Sequence, residues 1–180
     1  MIPHVDGCAA CPAAPEARSG AGGCQHSSDL KGTVHDGPVL TTAKVMKNVM
    51  ASATEAELGA LFMNAQEAVG IRNCLGAMGH TQPATPIRAD DNAANGIINN
   101  TMKQKRSKAI DVRHHWMRNR VNQGQFKVCW ESGECDEGDF CTKHHPPACH
   151  EQMRPIHTHV EGRSPKCLQG CVRIMDRDAP

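Results

Sequence analysis

The chain has 180 residues, a formal net charge of +1 at pH 7 and 22% charged residues. This length suffices for one domain of ordinary size with a buried core. No apolar run approaches the roughly 18 residues that cross a bilayer, and the first residues lack the charged and apolar blocks of a secretory signal peptide. These features argue against a membrane-spanning helix, and we expect a soluble, intracellular domain.

The first 51 residues predict three strands joined by turns. A strand over residues 2–7 carries Asp6 near its end, and a Gly-rich turn over 17–23 leads to a second strand over 24–28. A β-branched run over 37–42 predicts the third strand. From the residues alone, Asp6 is as easily an ordinary turn aspartate as a functional acid.

Residues 52–75 form the clearest predicted helix. Ser52 and Glu55 fit a capping box, in which each side chain satisfies a backbone amide of the other residue. Apolar residues recur at helical spacing and mark the buried side: Leu58, Leu61, Phe62, Ala65 and Val69. Glu57 lies about 100° from the centre of this stripe. We therefore expect Glu57 against the edge of a sheet and outside the deep core.

Two adjacent acids, Asp90 and Asp91, follow a short strand over residues 86–89 and lead into a helical segment. The order strand, helix, strand predicts a crossover that makes the new strand a parallel neighbour of the first. Asp6 and Asp90 then lie at the carboxyl ends of adjacent strands, where open α/β sheets place their sites. The alternative is that the acid pair only caps the following helix.

Seven Lys or Arg residues lie between Lys103 and Arg120, before and within a helix predicted over residues 107–123. Carboxylates hold hard cations such as Mg²⁺, and basic side chains neutralise phosphates. The combination favours metal-dependent work on a nucleic-acid backbone, although such a basic run is often only a solvated face. Our candidates for phosphate contacts are Lys103, Lys105, Arg106, Lys108 and Arg113. We interpret His114, on the inner face, as a core histidine and not as a general base.

The last predicted elements are a strand over residues 126–130 and a short helix over 138–143 that contains Asp139. From the residues alone, Asp139 is as easily an ordinary acid at a helix N-terminus. Pro146 and Pro147 then predict the end of helical structure. We expect one domain over residues 1–145 and a polar, disordered tail over 146–180. The histidines near this end have no predicted role: His144, His145, His150, His157 and His159.

Ten cysteines and eleven histidines raise the question of zinc. The closely spaced pairs, Cys8 with Cys11 and Cys167 with Cys171, lie at opposite ends of the chain, whereas a structural site needs two such pairs together. We interpret the thiols as having no metal role, and the missing signal peptide disfavours disulfides. A zinc-binding interaction module within residues 129–150 is the alternative from another functional class.

Four sequence motifs follow one another in an informative order. They are the helix start SATEAEL at residues 52–58, the strand that ends at Asp90 and Asp91, the segment RSKAIDVRHHW at 106–116, and GDFCTK at 138–143. This order and wording resemble the ribonuclease H domain that closes the polyprotein of copia-type retrotransposons. The resemblance spans most of residues 4–155 and is most specific in the middle third.

This resemblance implies an α/β ribonuclease H-like fold, which is a five-stranded mixed sheet with three antiparallel strands and then parallel strands, flanked by helices. It implies that two Mg²⁺ ions, or Mn²⁺, are bound about 4 Å apart by the catalytic residues Asp6, Glu57, Asp90 and Asp139. The implied reaction is hydrolysis of the RNA strand of an RNA/DNA hybrid, recognised by its shape and its 2′-hydroxyls.

The resemblance also bears on context. A reverse transcriptase polymerase domain normally precedes such a domain and is missing here, so the chain resembles a polyprotein fragment with a shortened first strand. The implied location is the cytoplasm, within a retroelement particle, or the nucleus.

The chain departs from the family pattern in two ways. Asp91 stands where relatives usually carry Asn, and its extra charge is expected to disturb metal spacing or raise the pKa of a neighbour. The chain has no Tyr and 3% aromatic residues, and Cys24 and Cys141 are among the positions where relatives carry aromatic residues. We therefore expect a thinner core and reduced stability. The alternative function is an inactive retroelement remnant that only binds nucleic acid.

Overall fold

The computed structural model describes residues 2–8, 20–28, 34–47, 50, 52–99, 112–131 and 137–158. The strands are β1 Ile2–Cys8, β2 Gly20–Ser28, β3 Val34–Val45, β4 Thr85–Ala89 and β5 Phe126–Trp130. The helices are α1 Ala53–Ala77, α2 Asn92–Ile98, α3 Val112–Asn122, α4 Glu137–Thr142 and α5 Pro147–His157. Among the described helices, none is long and apolar enough to span a bilayer.

The five strands form one mixed sheet in the order β3-β2-β1-β4-β5. The first three strands pair antiparallel, while β4 lies parallel to β1 and β5 lies parallel to β4. Parallel neighbours need a crossover connection, and α1 lies in the connection between β3 and β4. The predicted α/β ribonuclease H-like fold is confirmed.

The main core lies between α1 and the parallel half of the sheet. Leu61 of α1, Ile87 of β4 and Phe126 of β5 are buried together, and Ile98 of α2 and Met117 of α3 close the cluster. The side chain of Ser52 caps α1 by accepting a hydrogen bond from the backbone N–H of Glu55 at 3.1 Å. Helix α1 therefore starts with the predicted cap. Of the predicted stripe, Leu61 and Ala65 are buried, while Leu58, Phe62 and Val69 are partly buried against the same cluster.

Strand β2 is covered on both faces, and its two central glycines allow this close approach. A Cβ added at Gly22 would overlap the carbonyl oxygen of Gly138 in α4, and one added at Gly23 would overlap the side chain of Asn64 in α1. Successive residues of a strand point to opposite faces. Helices α1 and α4 therefore lie on opposite faces of β2.

Helix α5 corrects the prediction of a disordered tail from residue 146. Pro147 occupies the first turn of this helix, where a proline is well tolerated because its missing N–H has no intrahelical partner. The Phe140 ring stacks on the His157 ring, with 5.0 Å between centroids and 19° between planes. This packing against α4, together with contacts to β3, stabilises α5. The local sequence carries no signal for these contacts. Residues 159–180 lie outside the described residues.

Candidate active site

The parallel pairing of β1 with β4 brings two of the predicted acids near each other along the backbone. Asp6 pairs in register with Arg88, and Asp90 follows two residues beyond Arg88, directly after the end of β4. Strand β1 continues past Asp6 to Cys8, so Asp6 lies within the strand and not at its end as predicted. For Asp6 and Asp139 the structure describes the backbone position only.

Glu57 is buried more deeply than the helical geometry predicts. Its side chain is 1% exposed, because a second apolar cluster covers the first turns of α1 beside the main core. That cluster consists of Ala21, Met46, Ala56 and Ala60. Helix α1 contacts β1, β2 and β4. Glu57 therefore lies inside the protein on an element that packs directly on the strand of Asp6.

The two adjacent acids after β4 have different roles. The Asp91 carboxylate accepts hydrogen bonds from the backbone N–H groups of Ala93 at 2.7 Å and Ala94 at 3.4 Å, so Asp91 is the N-cap of α2. The capping interpretation thus holds for Asp91. Its negative charge lies at the positive end of the α2 dipole, and Asp90 remains the candidate ligand of the pair.

Trp130, which sequence reasoning missed, holds the backbone at Asp90. Its indole N–H donates a hydrogen bond of 2.9 Å to the carbonyl oxygen of Asp90. Beside it, the Arg88 guanidinium lies 2.8 Å from the Glu131 carboxylate. Both contacts depend on the pairing of β5 with β4, for which the sequence around residue 130 carries no local signal.

Helix α4 carries Asp139 and packs on β1, β2 and β3. Asp139 is the third residue of this short helix, a position that suits either an N-terminal acid or a ligand. Strand β1 contacts β4, α1 and α4. The four predicted acids therefore belong to elements that meet on one strand, while their binding of shared ions stays a prediction.

The predicted basic surface is described only in part. Lys103, Lys105, Arg106 and Lys108 lie outside the described residues, and Arg113 is half-buried at the start of α3. Arg120 lies over the Trp116 ring, 4.9 Å from its centroid, and donates a 2.8 Å hydrogen bond to Gln125. Arg120 therefore has a structural contact of its own.

His114 is 5% exposed, and burial lowers its pKa because the charged imidazole is disfavoured away from water. This agrees with the predicted core histidine.

A second group of possible metal ligands was not predicted from the sequence. Cys24, Glu137 and His157 offer ligand atoms that lie within 4.8 Å of one another, although they come from β2, α4 and α5. Burial lowers the pKa of His157, and the pKa of the Cys24 thiol is raised by its hydrogen bond with Cys141 and by burial. Sequence separations above one hundred residues, such as the 113 between Cys24 and Glu137, leave no motif to detect.

Comparison with known proteins bears on both fold and origin. No protein-family model matches the chain. Over 111 residues, which are 62% of the chain, it is 32% identical to the retrovirus-related Pol polyprotein from transposon TNT 1-94 of Nicotiana tabacum. The chain spans 8% of the length of that polyprotein.

Solved structures of ribonuclease H domains share the fold. The N-terminal ribonuclease H domain of a Mycobacterium tuberculosis protein aligns with a TM-score of 0.51 at 14% identity, over 78% of this chain and 88% of that one. LC11-RNase H1, isolated from compost, aligns with a TM-score of 0.54 at 15% identity, over 78% and 90%. The structure of LC11-RNase H1 in complex with an RNA/DNA hybrid aligns with a TM-score of 0.50 at 12% identity, over 76% of this chain and 88% of that one. The fold and the polyprotein match together support a ribonuclease H-like domain of a retroelement.

Proposed function

We propose that the chain hydrolyses the RNA strand of RNA/DNA hybrids with the help of divalent metal ions. The observation that carries this proposal is the meeting of four acid-bearing elements on β1, with Asp91 engaged as the cap of α2 and Asp90 as the candidate ligand of the pair. A similar enzyme, LC11-RNase H1, was solved with an RNA/DNA hybrid, which supports the choice of substrate class. Within a polyprotein such as the tobacco relative, of which it spans 8%, the chain would work beside a reverse transcriptase polymerase domain.

The donor chemistry fits Mg²⁺ or Mn²⁺. Glu57 and Asp90 offer carboxylate oxygens, the ligands that hard divalent cations prefer, and Asp6 and Asp139 complete the proposed set. When bound, such ions activate a water and stabilise the departing oxygen of the RNA strand.

The protein's own contribution is to hold the carboxylates still. Glu57 is fixed by burial in α1, and the backbone at Asp90 is tied to β5 by Trp130. Groups that are positioned in advance cost little reorganisation during the reaction. A rigid carboxylate set therefore favours catalysis over mere ion binding.

Basic side chains would hold the hybrid against this edge of the sheet. We assign this role to Lys103, Lys105, Arg106, Lys108 and Arg113. Contacts to phosphates set position and salt dependence but carry little base-sequence information. Hybrid would be distinguished from DNA duplex by its shape and its 2′-hydroxyl groups.

The decisive experiment measures cleavage of a labelled RNA strand in a hybrid with Mg²⁺. Asp90→Asn is compared with Asp91→Asn, because both remove one carboxylate and Asn caps a helix as well as Asp does. Loss of a metal ligand should cost several kcal/mol of transition-state stabilisation, so we expect Asp90→Asn to lose at least about 100-fold in rate. Asp91→Asn should stay within about threefold of the wild-type rate.

Two results would reject the proposal. One is equal cleavage by the wild-type chain and Asp90→Asn. The other is absence of cleavage by the wild-type chain, measured alongside hybrid binding by fluorescence anisotropy over a salt series. Binding that weakens with salt, without cleavage, would establish the nucleic-acid-binding remnant in its place.

A further inference from the structure

On the α4 face of the sheet, three side chains from distant parts of the chain converge. The thiol of Cys24, a carboxylate oxygen of Glu137 and a ring nitrogen of His157 lie within 4.8 Å of one another. Cys24 is 0% exposed and Glu137 is 2% exposed. Glu137 and Cys24 have hydrogen-bond partners in the protein, whereas buried polar groups such as the His157 Nε2 normally need one.

We propose that Cys24, Glu137 and His157 form the centre of a structural zinc site, and that Cys141, which lies outside this group but beside Cys24, turns in as the fourth ligand when the metal binds. Sγ of Cys141 lies 3.9 Å from Sγ of Cys24. Tetrahedral zinc with Zn–S bonds of about 2.3 Å places two sulfur ligands about 3.8 Å apart, so the two thiols already have the separation of such a pair. This site goes beyond the proposed ribonuclease function and does not depend on it.

The ligand types select zinc and not the ions of the nuclease reaction. Thiolate and imidazole suit Zn²⁺, whereas Mg²⁺ and Ca²⁺ take oxygen ligands. Nε2 of His157 is buried and has no hydrogen-bond partner among the described residues, which leaves a ring nitrogen for the metal.

The proposed ligand set carries a net charge and has a close neighbour outside it. Binding of Zn²⁺ releases the thiol protons of Cys24 and Cys141 to solvent and leaves two thiolates, one carboxylate and one neutral imidazole around the ion. The formal charge of this set is therefore −1. Nε2 of His26, which is 1% exposed, lies 2.6 Å from Oε2 of Glu137. This contact would orient the carboxylate, as outer-shell partners of zinc ligands commonly do.

The proposed zinc site would stabilise the packing of the C-terminal helices on the sheet. It would join β2 to α4 and α5, and thus fix the C-terminal helix against the sheet where Phe140 already stacks on His157. The module considered over residues 129–150 is different, since here two of the four ligands, Cys24 and His157, lie outside that segment. Metal binding to such a site stabilises the folded chain directly.

The test uses the full chain, purified under reducing conditions and incubated with Zn²⁺ alone. We expect one zinc per chain to remain after dialysis, measured by elemental analysis, and a thiolate-to-metal charge-transfer band when Co²⁺ replaces it. Cys24→Ser and His157→Gln should lose the retained metal, and Cys24→Ser should lose most of the band intensity. Removal of the outer-shell partner in His26→Gln should weaken zinc binding by about 10- to 100-fold.

The matched control is Cys149→Ser. Cys149 lies in α5 with His157 but outside the ligand group, so this variant should retain zinc at the wild-type level. Asp90→Asn should also retain it, which separates this site from the proposed nuclease site. Far-UV circular dichroism of each variant distinguishes loss of a ligand from loss of the fold.

Three outcomes would overturn the zinc site. They are a wild-type chain without stoichiometric zinc, a Cys24→Ser chain that is folded and retains zinc, or loss of zinc in Cys149→Ser. A Cys24–Cys141 disulfide in the reduced preparation, detected by mass spectrometry, would likewise overturn it.

Discussion

The indole N–H of Trp130 and the backbone carbonyl of Asp90 form a hydrogen bond of 2.9 Å. The bond ties the last residue of β5 to the residue that directly follows β4. The Trp130 side chain is 50% exposed, so its burial contributes less than that of a core aromatic residue. Its position points to a role in holding the proposed ligand Asp90.

Trp130→Phe tests this role because it keeps an aromatic ring and removes the N–H donor. A single hydrogen bond contributes about 0.5–1.5 kcal/mol to the free energy of unfolding. Because Trp130 is half exposed, we expect the loss of stability to lie near the lower end of this range. If the bond holds Asp90 in place during the reaction, the cleavage rate should fall roughly 2- to 10-fold. Urea unfolding and hybrid cleavage measure the two effects, and an unchanged rate would contradict the positioning role.

Asp91→Ala should destabilise the protein, whereas Asp91→Asn should not. The Asp91 carboxylate caps α2 through the N–H groups of Ala93 and Ala94. Replacing an N-cap acid by Ala costs about 0.5–2 kcal/mol, and Asn caps nearly as well. Urea unfolding of the two variants checks this difference. Equal loss of stability in both would mean that the charge matters more than the cap.

Asn64→Leu should cost about 1–3 kcal/mol because it leaves buried groups without partners. Asn64 is 2% exposed, its amide donates to the carbonyl oxygen of Gly22 at 2.8 Å, and its carbonyl accepts from the Thr42 hydroxyl at 3.0 Å. Thr42→Val is the matched control: it removes the second bond and the longer 3.4 Å contact of the same hydroxyl with the Gly23 carbonyl, at a less buried place, and should cost less. Thermal or urea unfolding ranks the two, and the reverse order would contradict the assignment.

The stability of the protein should fall as the pH drops below about 6.5. Burial lowers the pKa of His114 in the folded chain, so the unfolded chain binds a proton first. The penalty is absent above the unfolded pKa, grows as the pH falls below it, and is complete at the lowered folded pKa. His157 acts in the same direction.

His114→Met removes one of these titrating groups. The unfolding free energy of this variant, measured in urea between pH 7.5 and 5, should depend less steeply on pH than that of the wild-type chain. His115→Gln removes the exposed neighbouring histidine, whose charge contributes less than burial to the lowered pKa of His114, and should change the slope less than His114→Met does. A slope that responds equally to both substitutions would mean that burial of His114 is not the cause.

Local patterns accounted for the elements whose signals lie within a few residues. The Ser52 cap and the apolar stripe predicted α1, and the apolar run of residues 126–130 predicted β5. The order of strand, helix and strand predicted the parallel pairing of β1 with β4, because a helical crossover brings the next strand back in the same direction and β1 runs in the direction of β3. Helix α5 was missed since its Pro147 was interpreted as a stop and its packing against Phe140 has no sequence signature.

The sequence by itself determined the fold class, the retroelement character and four acids in a recognisable order, because periodicity and motifs are properties of neighbouring residues. Only the tertiary structure decided that Asp91 caps α2, that Glu57 is buried, and that Cys24, Glu137 and His157 meet. These relationships depend on how strands pair and helices pack. Such packing is set by the sum of many distant contacts, and no short segment of the chain contains them.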